Sequence, residues 1–175
     1  MRHTIAVVLL ILLTLGLMYF MLSGWQSRGK KIPLEELPPL PPGDWREREG
    51  TRGIYVSTTL AGLRFERVVS QGLGVKAAAV VHVLPDGPHA GVVVLRQGAA
   101  DLYIPLAAMK ETGLTSGMVG KFAGPESILV IRWVAGSVPV DTGIHIRSPQ
   151  ERTDLLAQVS ALFAPAQRPT TDEDE

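Results

Sequence analysis

An uncharged apolar run near the start of the sequence limits what this chain can fold into more than any other feature. No charged residue occurs from Thr4 to Ser27, and Ile5 to Leu22 is almost entirely apolar. About 20 such residues form a helix that crosses a hydrocarbon core of roughly 30 Å. A cleaved signal peptide has a shorter apolar core that ends in small residues, whereas this run ends in Tyr-Phe-Met-Leu-Ser-Gly-Trp. The sequence therefore predicts a single transmembrane helix over residues 4–25.

Basic residues flank this run unevenly. Arg2 precedes it, whereas Arg28, Lys30 and Lys31 follow it closely. Because Lys and Arg are enriched on the cytoplasmic side of a membrane helix, the excess predicts an inner-membrane protein whose C-terminal domain is cytoplasmic. Trp25, Arg28, Lys30 and Lys31 are the candidates for contact with the bilayer interface and with anionic lipid. The simpler alternative is that the three basic residues only fix the topology.

Proline dominates the next segment, residues 26–52, which we interpret as a linker. Pro38, Pro39, Pro41 and Pro42 exclude a regular helix and favour polyproline II, which acts as a stiff spacer. Their overlapping PxxP spacings also make these four prolines candidates for docking into an aromatic groove of a partner protein. A spacer that holds the domain away from the bilayer is the simpler interpretation.

From residue 53 the sequence changes to short β-rich segments separated by glycine and proline, which predicts an antiparallel sandwich or barrel over residues 53–164. The candidate strands are residues 54–58, 63–68, 75–84, 91–96, 101–104, 117–122, 127–134 and 140–147. Residues 63–68 alternate apolar and charged side chains, as a half-buried strand does. Residues 106–116 fit either a short helix or a strand.

A helix is predicted after the last strand. Ser148 and Glu151 have the spacing of a capping box, and Pro149 occupies the first helical position. The apolar residues that then fall on one helical face are Leu155, Leu156, Val159, Leu162 and Phe163. This amphipathic helix, residues 149–163, is expected to cover one end or face of a small barrel. The acidic tail, residues 165–175, is predicted to be disordered.

Charge and composition exclude several classes of function. The 17 basic residues cancel the 17 acidic residues, and residues 53–164 contain nine Lys and Arg against eight Asp and Glu. Without a basic stripe, binding to nucleic acid is not expected. The chain has no cysteine, so disulfides and thiolate chemistry are excluded.

Few residues have the spacing of a catalytic or metal site. His82 and His145 lie on candidate strands, and only Asp141 is placed to share a face with His145. A metal site needs three or four converging ligands, so we predict no metal, no cofactor and no enzymatic activity. A modest anion-binding pocket built from Lys76, Lys121 or Arg132 stays open.

Five short patterns in order along the chain resemble a known family. They are Gly53–Val56, Asp101–Pro105, Gly117–Phe122, Leu129–Trp133 and Asp141–Gly143. Together they resemble an actinobacterial family of membrane-anchored proteins with a bacterial pleckstrin-homology-like (PH-like) domain, over about residues 1–164. The resemblance implies a seven-stranded, strongly bent antiparallel barrel capped by a C-terminal helix. Members of that family are often labelled transporter or export proteins, and the resemblance carries no catalytic residues.

These observations predict a non-catalytic, single-pass, membrane-tethered module that binds a protein partner at the inner membrane surface. Tethering favours such binding because it raises the effective concentration of partners at the same membrane. Two alternatives stay open. The domain could sense anionic lipid headgroups, or it could be an accessory subunit of a membrane transport complex.

Overall fold

The computed structural model describes residues 10–19 and 36–163, and the second range contains the β domain. Its strands are β1 (Thr51–Leu60), β2 (Leu63–Arg67), β3 (Ala77–Leu84), β4 (Gly91–Arg96), β5 (Leu102–Pro105), β6 (Met109–Thr115), β7 (Gly117–Met118), β8 (Lys121–Phe122), β9 (Ile128–Ala135) and β10 (Val138–His145). Short 3-10 turns span Asp44–Glu47, Ser70–Gly72 and Leu106–Ala108, and the C-terminal helix spans Pro149–Ala161. The ambiguous segment 106–116 is therefore a 3-10 turn followed by a strand.

One antiparallel sheet of eight strands builds most of the domain. Its order is β5-β4-β3-β1-β10-β9-β6, and β2 pairs with the far end of β1. The register of β1 against β10 shifts between Tyr55 and Ser57, which marks a bulge. A bulge bends a strand and increases its twist. The first half of β1 therefore pairs with β3, and its second half pairs with β2. The sheet of the described residues is open, with β5 and β6 at the two ends of its strand order, whereas the resemblance implies a seven-stranded, strongly bent barrel.

The segment predicted as one strand over residues 117–122 is instead a separate two-stranded hairpin, β7–β8. Val119 and Gly120 form its turn with φ of 55° and 71°. Positive φ at both central residues gives the primed turn that suits a tight hairpin. Glycine adopts this conformation freely, whereas a β-branched valine does so at a cost. The hairpin is fixed to β2 because the Val119 amide donates to the carbonyl of Arg64 at 2.8 Å.

The C-terminal helix is present and covers the apolar interior of the bent sheet. Leu155, Val159 and Leu162 belong to the same buried cluster as the inward side chains of the strands. Leu156 is partly buried against this cluster, and Phe163 is 38% exposed. The predicted helical face is therefore the packed face over most of its length.

Ser148 caps this helix through its side chain, since the Glu151 amide donates to Ser148 Oγ at 3.3 Å. We expect Ser148→Ala to lower the free energy of unfolding by about 1 kcal/mol, because one amide of the first turn loses its acceptor. Urea unfolding of the variant measures this change. Ser160→Ala is the matched control, since Ser160 lies exposed near the helix end and alanine favours a helix. Equal stability of the two variants would contradict the role of the cap.

A chain of four buried hydrogen bonds crosses the middle of the sheet. The Trp133 indole donates to Thr142 Oγ1 at 2.8 Å, and Thr142 Oγ1 lies 2.7 Å from Thr58 Oγ1. Tyr55 OH lies 2.7 Å from Thr58 Oγ1 and donates to the carbonyl of Leu73 at 2.7 Å. An indole only donates and a carbonyl only accepts, so every proton in the chain points from Trp133 towards Leu73.

These four hydrogen bonds hold the loop between β2 and β3 against the sheet. Leu73 is fully buried, and Arg96 Nη1 donates to the carbonyl of Gly72 at 3.0 Å. The Arg96 guanidinium also lies 4.6 Å from the centre of the Tyr55 ring. Burial raises the pKa of Tyr55 to about 12, although the hydrogen bond with Thr58 and the charge of Arg96 oppose the shift. The loop is therefore fixed near its centre.

The proline-rich segment predicted as a spacer packs against the sheet in its described part. Trp45 is 4% exposed and lies against Leu84, Val93 and Tyr103. Its indole donates to the carbonyl of Pro41 at 2.8 Å. The folded domain thus begins before residue 53, because the buried Trp45 joins the proline-rich segment to the outer face of β3, β4 and β5.

Parts of the predicted membrane segment fall outside the described residues. Residues 10–19 are helical. Within residues 10–19 and 36–163, no helix has the length and the apolar character needed to cross a bilayer. Both ends of the predicted span 4–25 lie outside the described residues, together with residues 26–35 and the tail 165–175.

Candidate functional site

A cleft of about 280 Å³ lies where the ends of several strands meet on the outside of the sheet. We call it the basic cleft. Its charged and titratable lining consists of Arg67, Lys76, His145 and Arg147, with Phe122 among its apolar residues. No Asp or Glu is among the lining residues in the described part of the chain. A nearly neutral domain therefore concentrates positive charge at one place.

Different elements bring these side chains together. Arg67 ends β2, and Lys76 directly precedes β3. These two residues border the loop that the buried hydrogen bonds fix. His145 ends β10, and Arg147 lies between that strand and the C-terminal helix. The β7–β8 hairpin contributes Phe122 to the lining.

The three cations of the basic cleft have no partner among the described residues. Arg67, Lys76 and Arg147 make no ion pair and no side-chain hydrogen bond there. Gly74 leaves room for the stem of Arg67, since a Cβ at Gly74 would lie 3.1 Å from Arg67 Cδ. The stem of Arg67 thus packs beside Gly74, and the donors of all three cations stay available among the described residues. Guanidinium groups of this kind bind carboxylate and phosphate through paired hydrogen bonds.

His145 adds a fourth polar group to the cleft. Its Nδ1 lies 3.0 Å from the carbonyl of Ser127. Since a carbonyl oxygen only accepts, the proton of the neutral ring is on Nδ1. The Nε2 atom is therefore the acceptor in the neutral ring and becomes a donor when the ring is protonated.

Large apolar side chains are exposed beside the basic cleft. Phe65 is 79% exposed, Phe122 is 75% exposed and Val75 is 50% exposed. Phe65 projects from the same face of β2 as Arg67, because side chains of a strand alternate between faces. We call Phe65, Val75 and Phe122 the apolar rim. The alternation in residues 63–68 predicted that the apolar face of β2 would be buried. That prediction is wrong, because no element within residues 10–19 and 36–163 covers Leu63 and Phe65.

Comparison with known proteins assigns the family. A family model described as bacterial PH domain-like matches residues 34–160, which is more than half of the chain. The chain belongs to the bacterial PH domain-like family. No curated protein and no solved structure matches the chain significantly. The open antiparallel sheet with its C-terminal helix fits a PH-like fold.

Members of the PH domain-like family are generally interaction modules rather than enzymes. His82 shares a cleft with Glu49, Glu151 and Asp154, but its Nδ1 is buried without a hydrogen-bond partner among the described residues. Burial and the charge of Arg46 lower the pKa of His82. The histidine ring packs edge-on against Trp45, with 5.5 Å between ring centres, which is a packing role.

Arg132 and Asp141 of this PH-like domain are engaged with each other. Arg132 Nε donates to Asp141 Oδ1 at 2.8 Å, and Arg132 Nη1 donates to Glu111 at 2.9 Å. The Asp141 carboxylate raises the pKa of Arg132 above its ordinary value. Arg132 is therefore not a free anion-binding group, and Asp141 is directed towards Arg132 and not towards His145.

The remaining predicted site residues divide into two groups. Trp25, Arg28, Lys30 and Lys31 lie outside the described residues, and their contact with lipid stays a prediction. Of the four prolines, Pro41 is buried and Pro38 is partly buried, whereas Pro39 and Pro42 are exposed. Docking of this segment into a partner also stays a prediction. Among the cations left open by the sequence, Lys76 lines the basic cleft and Lys121 begins β8.

Sequence reasoning missed Arg67, Arg147 and the apolar rim. Arg67 and Arg147 are 80 residues apart in the sequence, and only the pairing of β1 with both β2 and β10 brings their strands together. The Phe65–Arg67 pair on one face of a strand was the available signal, but the same pattern is typical of a half-buried strand.

Proposed function

We propose that the protein is a non-catalytic interaction module that residues 4–25 tether to the inner membrane. In this proposal the basic cleft and the apolar rim contact the anionic surface of that membrane. The observation that carries the proposal is that three cations without a partner among the described residues lie beside exposed phenylalanines on one face of the domain. Exposed apolar patches bordered by polar residues are typical of interaction sites.

The charges suit a lipid surface in sign and number. A Lys or Arg near an anionic leaflet contributes roughly 1 kcal/mol, so Arg67, Lys76 and Arg147 together contribute about 3 kcal/mol. Phe65 and Phe122 add the burial of aromatic surface at the interface. This affinity is modest for a free domain, but a tether makes contact with the same bilayer an intramolecular event.

The docked proline-rich segment shortens this tether. Because Trp45 fixes its segment to the sheet, residues 26–35 are the only ones between the predicted helix and the described domain. Ten residues reach at most about 35 Å when fully extended. The domain therefore stays close to the bilayer. Arg28, Lys30 and Lys31 lie in the tether and favour the same anionic leaflet.

Distances from the domain to the bilayer test the proposal in the full chain. Because the chain has no cysteine, Ala123→Cys places a single fluorophore at the basic cleft and Asp86→Cys places one in the turn at the far end of β3. We expect energy transfer to headgroup-labelled lipid to rise at position 123, and not at position 86, when phosphatidylserine is added to phosphatidylcholine vesicles.

Charge variants provide the matched control for this measurement. The variant R67Q/K76Q/R147Q should remove the response to phosphatidylserine. The variant R48Q/R52Q/K110Q should retain it, since these three exposed side chains do not line the basic cleft. Two outcomes would contradict membrane contact and favour a protein partner at this face. One is an equal rise in energy transfer at position 123 in the two triple variants, and the other is no rise in the unaltered chain.

A further inference from the structure

The strongest negative charge of the chain lies outside the described residues. Asp172, Glu173, Asp174 and Glu175 are four consecutive acidic residues, and Arg168 is the only basic residue among residues 164–175. The basic cleft carries the opposite charge, with three unpaired cations and no acidic lining residue in the described part of the chain. The acidic segment and the basic cleft therefore have opposite charge, with four carboxylates against three cations.

We infer that the acidic segment, residues 172–175, binds in the basic cleft of its own chain. Its carboxylates accept hydrogen bonds from Arg67, Lys76 and Arg147, in the place that anionic headgroups take at the membrane. The inference rests on the proposed function in one respect, since it makes the acidic segment a competitor of the membrane. The contact itself stands on the charges and on the length of the chain.

The chain is long enough for this contact. The C-terminal helix begins two residues after Arg147, and its 13 residues carry the chain about 20 Å away. Residues 164–175 span up to about 40 Å when extended, and a flexible chain of 12 residues has a mean end-to-end distance of about 20 Å. The acidic segment can thus return along the helix to the cleft without being fully extended.

Covalent connection makes the contact effective. Single ion pairs at a protein surface are weak and are screened by salt. A short flexible connection, however, gives an effective concentration in the millimolar range. Several such pairs formed together then compete with a membrane of low anionic content. The acidic segment therefore sets how much anionic lipid the domain needs before it docks.

Spin-label distances in the full chain test the contact without anionic lipid. Val75→Cys, beside Lys76, and Thr170→Cys, just before the acidic segment, give two labelling sites in a chain that has no other cysteine. In nanodiscs of phosphatidylcholine alone we expect a short-distance peak between the labels. The peak should be lost in D172N/E173Q/D174N/E175Q and in R67Q/K76Q/R147Q, and it should weaken at high salt.

A charge-matched control separates a specific contact from a general effect of net charge. The variant E36Q/D44N/E47Q/E49Q removes four exposed acidic side chains elsewhere and should keep the short-distance peak. Absence of the peak in the unaltered chain, or its persistence in both neutralised variants, would overturn the inference.

Vesicle titration then tests the competition. Neutralising the acidic segment should lower, severalfold, the phosphatidylserine content at which position 123 approaches the bilayer. An unchanged content would overturn the competition. A short-distance peak in a chain that never approaches anionic vesicles would overturn the proposed function and support the contact, whereas membrane approach without a peak would do the reverse.

Discussion

Replacing Thr142 with valine is expected to lower the free energy of unfolding by about 4 kcal/mol, although the side-chain volume hardly changes. The hydroxyl of Thr142 accepts from the Trp133 indole and donates to Thr58. Valine has no hydroxyl, so the Trp133 indole and Thr58 Oγ1 both lose their hydrogen bond to residue 142, whose site is fully buried. An unsatisfied buried group costs about 1–3 kcal/mol, and here the indole loses its acceptor while Thr58 Oγ1 loses a donor. Chemical unfolding followed by tryptophan fluorescence measures the change.

Thr142→Ser is the matched control for this prediction. Serine keeps the hydroxyl and removes one buried methyl group, which costs about 1 kcal/mol. We therefore expect the serine variant to be clearly more stable than the valine variant. The reverse order would show that packing of the methyl group, and not the directed hydrogen-bond chain, holds β1, β9 and β10 together at this point.

Replacing Trp45 with alanine is expected to release the proline-rich segment from the sheet. Trp45 is almost fully buried, and removal of a buried tryptophan costs about 3–5 kcal/mol. Because the contact is peripheral, we expect local opening rather than global unfolding. A cost of about 3 kcal/mol raises the open population roughly 100-fold, and the rate of tryptic cleavage after Arg46 and Arg48 should rise by a similar factor.

Two further variants define the origin of this effect. Trp45→Phe keeps an aromatic ring but removes the hydrogen bond to the carbonyl of Pro41. It should therefore lower the free energy of local opening by about 1 kcal/mol. Pro39→Ala alters an exposed residue of the same segment and should leave the cleavage rate almost unchanged. Rapid cleavage of the unaltered chain at these arginines would contradict the docked arrangement.

Most strands were predictable because their patterns are local. The candidate strand 91–96 agrees with β4, and the segments 127–134 and 140–147 agree with β9 and β10 within two residues at each end. Ser148 marks the helix start in both sequence and structure. In each case neighbouring residues determine the element, through apolar periodicity or through a cap.

The basic cleft was not predictable for the opposite reason. Its cations come from separate elements, and none of them has a distinctive sequence context. The docking of Trp45 was hidden in a similar way, because proline-rich composition indicates an extended backbone and gives no information on what that backbone packs against. The exposed Phe65 shows that alternation reports two faces of a strand without telling whether another element covers either of them.

The pairing of β1 with β10 has a consequence for how the protein is made. Ile54 pairs with His145, so the strand at the centre of the sheet must wait for residues about 90 positions later in the chain. Synthesis at about 5–20 residues per second separates the appearance of these strands by several seconds. During that interval β1 has no permanent neighbour on one side. Folding of the sheet is therefore completed only when the C-terminal part has left the ribosome, and a truncated chain would expose this strand to aggregation.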